Sequence, residues 1–559
     1  MEPGRIAVAD GFSVSTQVTL ESLPALAEAG VRALICNRPD GEANDQPTVT
    51  EIRAAAAELG MELAYVPVVS GTYSSASVAD FAAALERLPA PVHAYCRTGT
   101  RSITLWSLLQ QQRGRPTAEL LQIAADCGYD LGDALGEGAR HATQRDYYDI
   151  VIVGGGAAGI AVASSLMART DALSIAVIDP AEVHYYQPGW TMVGAGVFSQ
   201  QDTVRTMASL IPRGVRWVKA AVGSFEPQDN RILLEDAHPI YYDRLIVAPG
   251  IKLDWHGVDG LVETLGRNGV TSNYRFDLAP YTWELVRGLR SGRALFTQPP
   301  MPIKCAGAPQ KAMYLSADHW TRSGVLDDIE IGFYNAGAVL FGVREYVPAL
   351  MEYVQRYSAQ LHFQHRLVRV DGERREATFA VSDDDSAPRE ETVAFDMLHV
   401  CPPQTAPDFV RQSPLADDAG WVDVDQNTLQ HKRFANVWSL GDAMNAPNAK
   451  TAAAARMQAP IVANNLLHDM GMGQAVSHYN GYGSCPLTVE RGKIVLAEFG
   501  YGGKLLPSLP RWLINGQRPS RLAWLLKEKI LPPVYWQAML RGREWLASPE
   551  RSRAVSDGA

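Results

Sequence analysis

The sequence predicts an α/β chain of several domains: a small α/β domain, two dinucleotide-binding units of which the second interrupts the first, and an amphipathic C-terminal segment. Three observations predict this. Short apolar runs alternate with helical stretches up to residue 142, the pattern of a parallel sheet with crossover helices. A glycine-rich turn, IVIVGGGAAGIAVA, then opens a new unit between an apolar strand and a small-residue helix. The 559 residues also exceed what one ordinary domain holds, about 100 to 200.

The first element, residues 1–142, is built on the apolar runs VRALICN, MELAYVPVV and APVHAYC, with helical VTEIRAAAAELG and SVADFAAALERL between them. After APVHAY come Cys96, Arg97, Thr98, Gly99, Thr100 and Arg101. Amides of such a loop curl around an anion at the start of the following helix, where Cys96 would act as a thiolate nucleophile. The stretch LGEGARHATQRDYYD then loses periodicity, which puts a boundary near Gln144.

The second element covers residues 146–275 and resumes over 401–475. Gly154, Gly156 and Gly159, with Ala157 and Ala158 among them, let backbone amides approach a pyrophosphate. The strand SIAVIDP ends in Asp179, placed to accept hydrogen bonds from a ribose. YDRLIVAPG, with Ala248 and Gly250, and NVWSLGDAMN, with Gly441 and Asp442, resemble motifs of the disulfide-reductase-type flavoproteins. In that superfamily the late Gly-Asp pair binds the ribityl chain, so the resemblance implies FAD.

The third element, residues 276–400, lacks a strand, G-x-G-x-x-G, helix unit, and the glycines of EIGFYNAGAVLFG have the wrong spacing. NAD(P)H has no seat there. KCAGAPQK (304–311) occupies the loop that would have cradled its pyrophosphate, so Cys305 could face the flavin instead.

The fourth element, residues 476–559, holds Cys485 and a tail in which Trp512, Leu513, Ile514, Trp524, Leu525, Leu526, Ile530, Leu531, Tyr535 and Trp536 alternate with Arg511, Arg521, Lys527 and Lys529. That mix suits an interfacial segment and equally an amphipathic helix packed on its own protein. Pro532 and Pro533 are expected to break the helix into two pieces.

Composition excludes other classes. A net charge of −10 without a Lys/Arg stripe argues against a nucleic-acid partner. Six dispersed cysteines without a C-x-x-C pair predict no zinc ribbon and no metal site. MEPGRIAVADGF has no signal-peptide pattern, and no run reaches the roughly 18 to 20 apolar residues of a spanning helix.

From residue 148 to about 545 the chain resembles the sulfide:quinone oxidoreductases, on VHYYQPGWTMVGAG, PIKCAGAPQKAMYLS, AGWVDVDQNTLQH, NAKTAAAARMQ and YNGYGSCPLTVERGKIVLAEF. The resemblance implies an FAD enzyme that oxidises sulfide and reduces quinone. It implies that Cys305 and Cys485 lie on the flavin's substrate face, where HS⁻ attacks their disulfide or trisulfide and leaves one cysteine as persulfide. Glutathione, sulfite or a second sulfide would take the sulfur. It tips the tail towards monotopic attachment, on the cytoplasmic face of the inner membrane, and allows a homo-oligomer.

Lys304, beside Cys305, either favours thiolate or is a solvated charge. Lys450 either lies at the flavin's pyrimidine edge or is a surface lysine at a helix start. Cys401 is read as structural, with a third thiol for polysulfide as the alternative. Residues 1–140 resemble the small dual-specificity-phosphatase-like domains, on NRPDGE and AYCRTGTRS. Yet the loop is Cys-x4-Arg, Tyr95 stands where phosphatases carry His, and VPVVSGTYSS offers no acid. The loop looks like that of rhodaneses, which favours persulfide handling over phosphatase chemistry. A type II NADH:quinone oxidoreductase and a flavin-bearing redox sensor with a phosphatase domain are the competing readings.

Overall fold

The computed structural model describes residues 5–43, 46–68, 73, 75–135, 147–382, 389–447, 449–472 and 475–547. The boundary expected near Gln144 lies outside the described residues. The chain divides into two units, Met1–Tyr148 and Asp149–Ala559.

In the first unit, strands β1 (Ile6–Ala9), β2 (Phe12–Ser15), β3 (Ala33–Cys36), β4 (Glu62–Tyr65) and β5 (Val92–Tyr95) form a sheet ordered β1-β2-β5-β3-β4. All pairs are parallel except β1 with β2. The inner strands β2, β3 and β5 are buried along their whole length, which is why ALIC and VHAY read as continuous apolar runs. Helix α1 (Thr100–Gln112) follows the Cys96 loop and is buried from Arg101 to Leu109. Its Trp106 stacks on Phe12 at 5.9 Å between ring centres, so the loop is carried by a packed strand and a packed helix.

The second unit starts with β6 (Tyr147–Val153), the glycine turn, α2 (Ala157–Met167) and β7 (Ile175–Ile178), followed by β8 (Val215–Val218), β9 (Val222–Glu226), β10 (Arg231–Leu234) and β11 (Pro239–Val247). A second, all-parallel sheet interrupts it: β12 (Val270–Thr271), β13 (Gly292–Gln298), β14 (Ile329–Asn335), β15 (Gln360–Phe363) and β16 (Met397–His399), ordered β12-β16-β13-β14-β15. Helices α3 (Ala308–Ser323) and α4 (Val347–Arg356) connect its strands. Strand β17 (Val437–Ser439) then returns to the first sheet and pairs parallel with β11, completing the order β8-β7-β6-β11-β10-β9.

Helix α5 (Ala452–Asp469) follows. The antiparallel hairpin β18 (Gly483–Glu490) and β19 (Lys493–Phe499) buries Cys485, Leu487, Val489, Val495 and Ala497 in the core of the second sheet, beside Phe296, Trp320 and Phe333. That packing carries Cys485 to the loop before α3. The chain ends in α6 (Arg521–Leu525), a wide π turn over Leu526–Ile530 and α7 (Leu531–Gln537). Pro532 and Pro533 do not break this run. They fall at the first positions of α7, where a missing N–H costs least. No helix of the described residues is long and apolar enough to cross a membrane.

Candidate active site

The turn after β6 is shaped for a dinucleotide. Gly154 has φ +101°, and a Cβ there would lie 2.4 Å from the Ala248 carbonyl oxygen. A Cβ on Gly159 would lie 1.8 Å from the Gly154 oxygen, so α2 sits directly on the turn. At Gly156 a Cβ would meet nothing within 4 Å, so the backbone at the N-cap of α2, just before Ala157 and the buried Ala158, can be approached closely. Asp179 Oδ2 accepts from the Gly155 amide at 2.6 Å and fixes the turn. The Ala248 amide donates to the Val153 oxygen at 2.8 Å, and Gly250 turns away at φ +83°.

Gly441, at φ +78°, lies against this cradle: its Cβ would stand 2.9 Å from Ala158 Cβ, and its amide donates to Gln458 Oε1 at 2.8 Å. An open cradle at a helix start, closed by glycines from three separate segments, fits a flavin dinucleotide.

The structure brings Cys305 and Cys485 together, 180 residues apart in sequence and 3.6 Å apart between sulfurs. Cys305 stands in the loop between β13 and α3 at φ +49°, a region seldom adopted outside glycine. Two backbone bonds hold it there: its amide donates to the Lys450 oxygen at 2.9 Å, and its carbonyl accepts from the Ala308 amide at 2.7 Å. Gly307 permits the approach of the thiols, because a Cβ on it would lie 2.5 Å from Cys485 Sγ.

Lys311, buried in the first turns of α3, donates to Cys305 Sγ at 3.1 Å. The S–H of Cys485 and, against the cost of burial, the Lys311 ammonium hold the Cys305 thiol well below its ordinary range. Cys485, hydrogen-bonded to that sulfur and buried, is raised well above it. Negative charge is thus favoured on Cys305 and disfavoured on Cys485.

Lys311 escaped the sequence reading, which weighed Lys304 instead. Lys304 Nζ donates to Gln187 Oε1 at 2.5 Å and lies 3.7 Å from Asp442 Oδ2, so it is engaged on the nucleotide side. The signal for Lys311 was its place on the helix six residues after the cysteine. A second missed cation is Lys527 of the π turn, read from sequence as an interfacial charge. It is 4% exposed, its Nζ lies 3.5 Å from the Pro188 oxygen, and burial together with repulsion from Lys311 lowers its pKa to about 7.

Lys450 is not a surface lysine. It is buried, Nζ donates to the Asp442 and Met444 oxygens at 2.7 and 3.0 Å, and it lies 4.1 Å from the centre of the Trp421 ring. Burial lowers its pKa to about 8. Cys401 is buried with Tyr274, Ile303 and Cys305, and burial pushes its thiol up to about 12. The tail is divided. Ile514, Trp524, Tyr535 and Trp536 are buried, and Tyr535 Oη lies 2.6 Å from His184 Nε2, whose other ring nitrogen lies 3.2 Å from the Gly155 oxygen. Trp512, Leu513, Leu522, Leu525, Ile530, Trp545 and Leu546 are exposed.

In the first unit Cys96 is fully buried and its sulfur accepts from the Gly99 amide at 3.1 Å. Gly99 has φ +88°, and a Cβ there would collide with the Tyr129 hydroxyl at 2.0 Å. Arg101 is clamped: Nη1 and Nη2 donate to the two oxygens of Glu42 at 2.8 and 2.9 Å, and Nη1 also to the Val68 oxygen at 2.8 Å. Arg38 Nε donates to the same carboxylate at 2.7 Å. The Arg101 hydrogen bonds, with Arg38, lower Glu42 to about 2 against the small cost of burial.

Residues 5–113 match the family model of the Beta-lactamase hydrolase-like protein, phosphatase-like domain, and residues 148–298 that of Pyridine nucleotide-disulphide oxidoreductase. The mitochondrial Sulfide:quinone oxidoreductase of Dictyostelium discoideum is 42% identical over 398 residues, covering 70% of this chain and 86% of that protein. The Beta-lactamase hydrolase-like protein of Agrobacterium fabrum is 29% identical over 127 residues, 22% of this chain and 30% of that protein. Among solved structures, the sulfide:quinone oxidoreductase of Aquifex aeolicus has a TM-score of 0.59 at 16% identity, covering 71% of this chain and 92% of that one, which shows a shared fold.

Proposed function

The chain belongs to the sulfide:quinone oxidoreductase family, and from that premise we infer that Cys305 and Cys485 are the dithiol at which it oxidises sulfide. The chain is a flavoprotein-type oxidoreductase that takes electrons from sulfide and gives them to quinone. The single observation that carries the finer reading is the 3.6 Å contact between the two sulfurs with the buried Lys311 ammonium on one of them.

The asymmetry of that contact assigns the roles. In the oxidised pair, HS⁻ attacks Cys485 Sγ, the S–S bond breaks, and Cys305 leaves as the thiolate that Lys311 stabilises. The better leaving group is the thiol of lower pKa. Cys485 then carries the sulfur as Cys–S–SH. A nucleophile such as glutathione, sulfite or sulfide takes the outer sulfur and leaves Cys485 as thiolate, and re-forming the disulfide releases two electrons. The Gly154–Gly159 turn and Gly441–Asp442 would hold FAD, which when bound would supply the two-electron acceptor between this dithiol and quinone. Lys450 supplies a buried positive charge beside Asp442.

The exposed Trp512, Leu513, Leu522, Leu525 and Ile530 attach the protein to the membrane surface, where quinone resides. In the first unit the Cys96 loop accepts and transfers sulfane sulfur. Arg101 spends its charge on Glu42, and the Cys-x4-Arg loop lacks an acid for a phosphate leaving group. The domains run 1–142, 146–275 with 401–475, 276–400, and 476–559.

Anaerobic addition of sulfide tests this reading. Sulfide bleaches the flavin, a soluble quinone restores it, and Cys305→Ser and Cys485→Ser abolish the response while keeping the flavin. Reduction by NADH with no response to sulfide would overturn it in favour of the dehydrogenase reading.

A further inference from the structure

Away from the dithiol, the second sheet carries an open cleft of about 440 Å³ that the sulfide chemistry does not use. Its walls come from the loop after β14 (Val339, Leu340, Phe341), from α4 and the turn before it (Arg344, Val347, Met351) and from Leu361 and Phe363 of β15. The cleft thus opens at the carboxyl ends of two adjacent parallel strands, the edge at which open α/β sheets seat ligands. The volume falls within the range of small-molecule sites, about 300 to 1,000 Å³.

The lining is apolar apart from Arg344. Val339 is 60% exposed at the rim, and Met351 supplies an adaptable wall. Arg344 is exposed and its guanidinium makes no ion pair among the described residues. An apolar trough with one unpaired cation matches a single alkyl chain bearing an acidic head, the chain lying on Val347, Leu361 and Phe363 and the head meeting Arg344. A neutral chain would leave the guanidinium unused, and a nucleotide would find neither a glycine cradle nor polar partners.

The geometry points to this cleft as a binding site for a long-chain carboxylate, separate from the Cys305–Cys485 dithiol. Its floor also touches the elements that hold the dithiol. Gln310, fully buried and next to Lys311 in α3, donates through Nε2 to the Leu340 oxygen at 2.5 Å, and Phe341 packs edge-on to Phe499 of β19 at 6.0 Å.

Binding of alkyl carboxylates of increasing length to the flavin-loaded full-length protein, measured by calorimetry, tests the proposal. Dodecanoate is expected to bind, each two added methylenes up to that length tightening binding about tenfold. Arg344→Gln, an exposed change, should weaken dodecanoate about tenfold, and Leu361→Trp, which fills the trough, should abolish binding without changing flavin content. Dodecanol binding as tightly as dodecanoate would overturn the acidic head. Failure of dodecanoate to bind, with anionic phosphatidylglycerol vesicles held by the wild type and lost by Leu361→Trp, would make the cleft a membrane contact and overturn the proposal. A rise in the KM for soluble quinone in Leu361→Trp would make it part of the quinone site, with the same consequence.

Discussion

Lys311 Nζ lies 3.1 Å from Cys305 Sγ, and this contact adds to the Cys485 S–H in favouring charge on Cys305. The cation's pull on Cys485 is outweighed there by the charged Cys305 sulfur and by burial, so Cys485 keeps its proton or carries the persulfide. Removing the cation should raise the Cys305 pKa, so that the acid limb of the pH profile for sulfide-dependent flavin reduction moves to higher pH. Lys311→Met is expected to slow this step about 10- to 100-fold at pH 7, and Lys311→Arg to restore part of it. Stopped-flow absorbance across pH checks both.

Gly307 sets the distance between the sulfurs. Gly307→Ala places a methyl 2.5 Å from Cys485 Sγ. Sulfide-dependent reduction should fall about 100-fold, on the scale expected of a misplacement of about 1 Å at a reacting centre. Flavin content should remain intact, measured by absorbance ratio after gel filtration.

Lys527 is a buried lysine whose pKa falls to about 7. An unfolded lysine titrates near 10.4, so between these values the unfolded chain binds more protons and this group's contribution to stability rises with pH. Lys527→Met should therefore melt at a higher temperature than wild type, by a gap widest below pH 7 and narrowing towards pH 9. Thermal melts followed by flavin fluorescence at three pH values measure the gap. A gap that stays constant or widens with pH would contradict the assignment.

The exposed apolar side chains of the tail divide membrane binding from chemistry. Leu522→Glu with Leu525→Glu and Ile530→Glu, all on the solvent side, should abolish co-sedimentation with liposomes and leave turnover with a soluble quinone within about twofold, since surface substitutions away from packed features cost little.

In the first unit, Cys96→Ser should eliminate transfer of sulfur from thiosulfate or a persulfide to cyanide, while sulfide-dependent flavin reduction persists. A thiocyanate colour assay reads the first and absorbance the second. Phosphomonoester hydrolysis by the wild type that is lost in Cys96→Ser would favour the phosphatase reading instead.

The glycine turn was legible because its chemistry is local: β6, Gly154, Gly156, Gly159 and Asp179 lie within one stretch, and each residue type follows from a backbone requirement. The pairing of Cys305 with Cys485 was not readable from periodicity. It depends on a hairpin packing into the core of another sheet, and only resemblance of the flanking segments pointed to it. Lys311 was overlooked in favour of Lys304 because adjacency in sequence is not adjacency across a loop-to-helix junction. Composition misled in the tail: Lys527 and Tyr535 belong to one amphipathic run, yet the π turn and α7 rotate them inward, the first beside Lys311 and the second onto His184. Which face of a helix is covered is decided by what packs on it.

The most direct test of the Cys305 and Cys485 assignment is to treat the oxidised, flavin-loaded protein with one equivalent of sulfide without an acceptor, trap with an alkylating agent, and map the added sulfur by peptide mass spectrometry. The extra sulfur is expected on the Cys485 peptide, with Cys305 recovered as a simple alkylated thiol. Sulfur found on Cys305 with Cys485 as the free thiol would reverse the roles derived from Lys311, and sulfur on neither would remove the pair from the reaction.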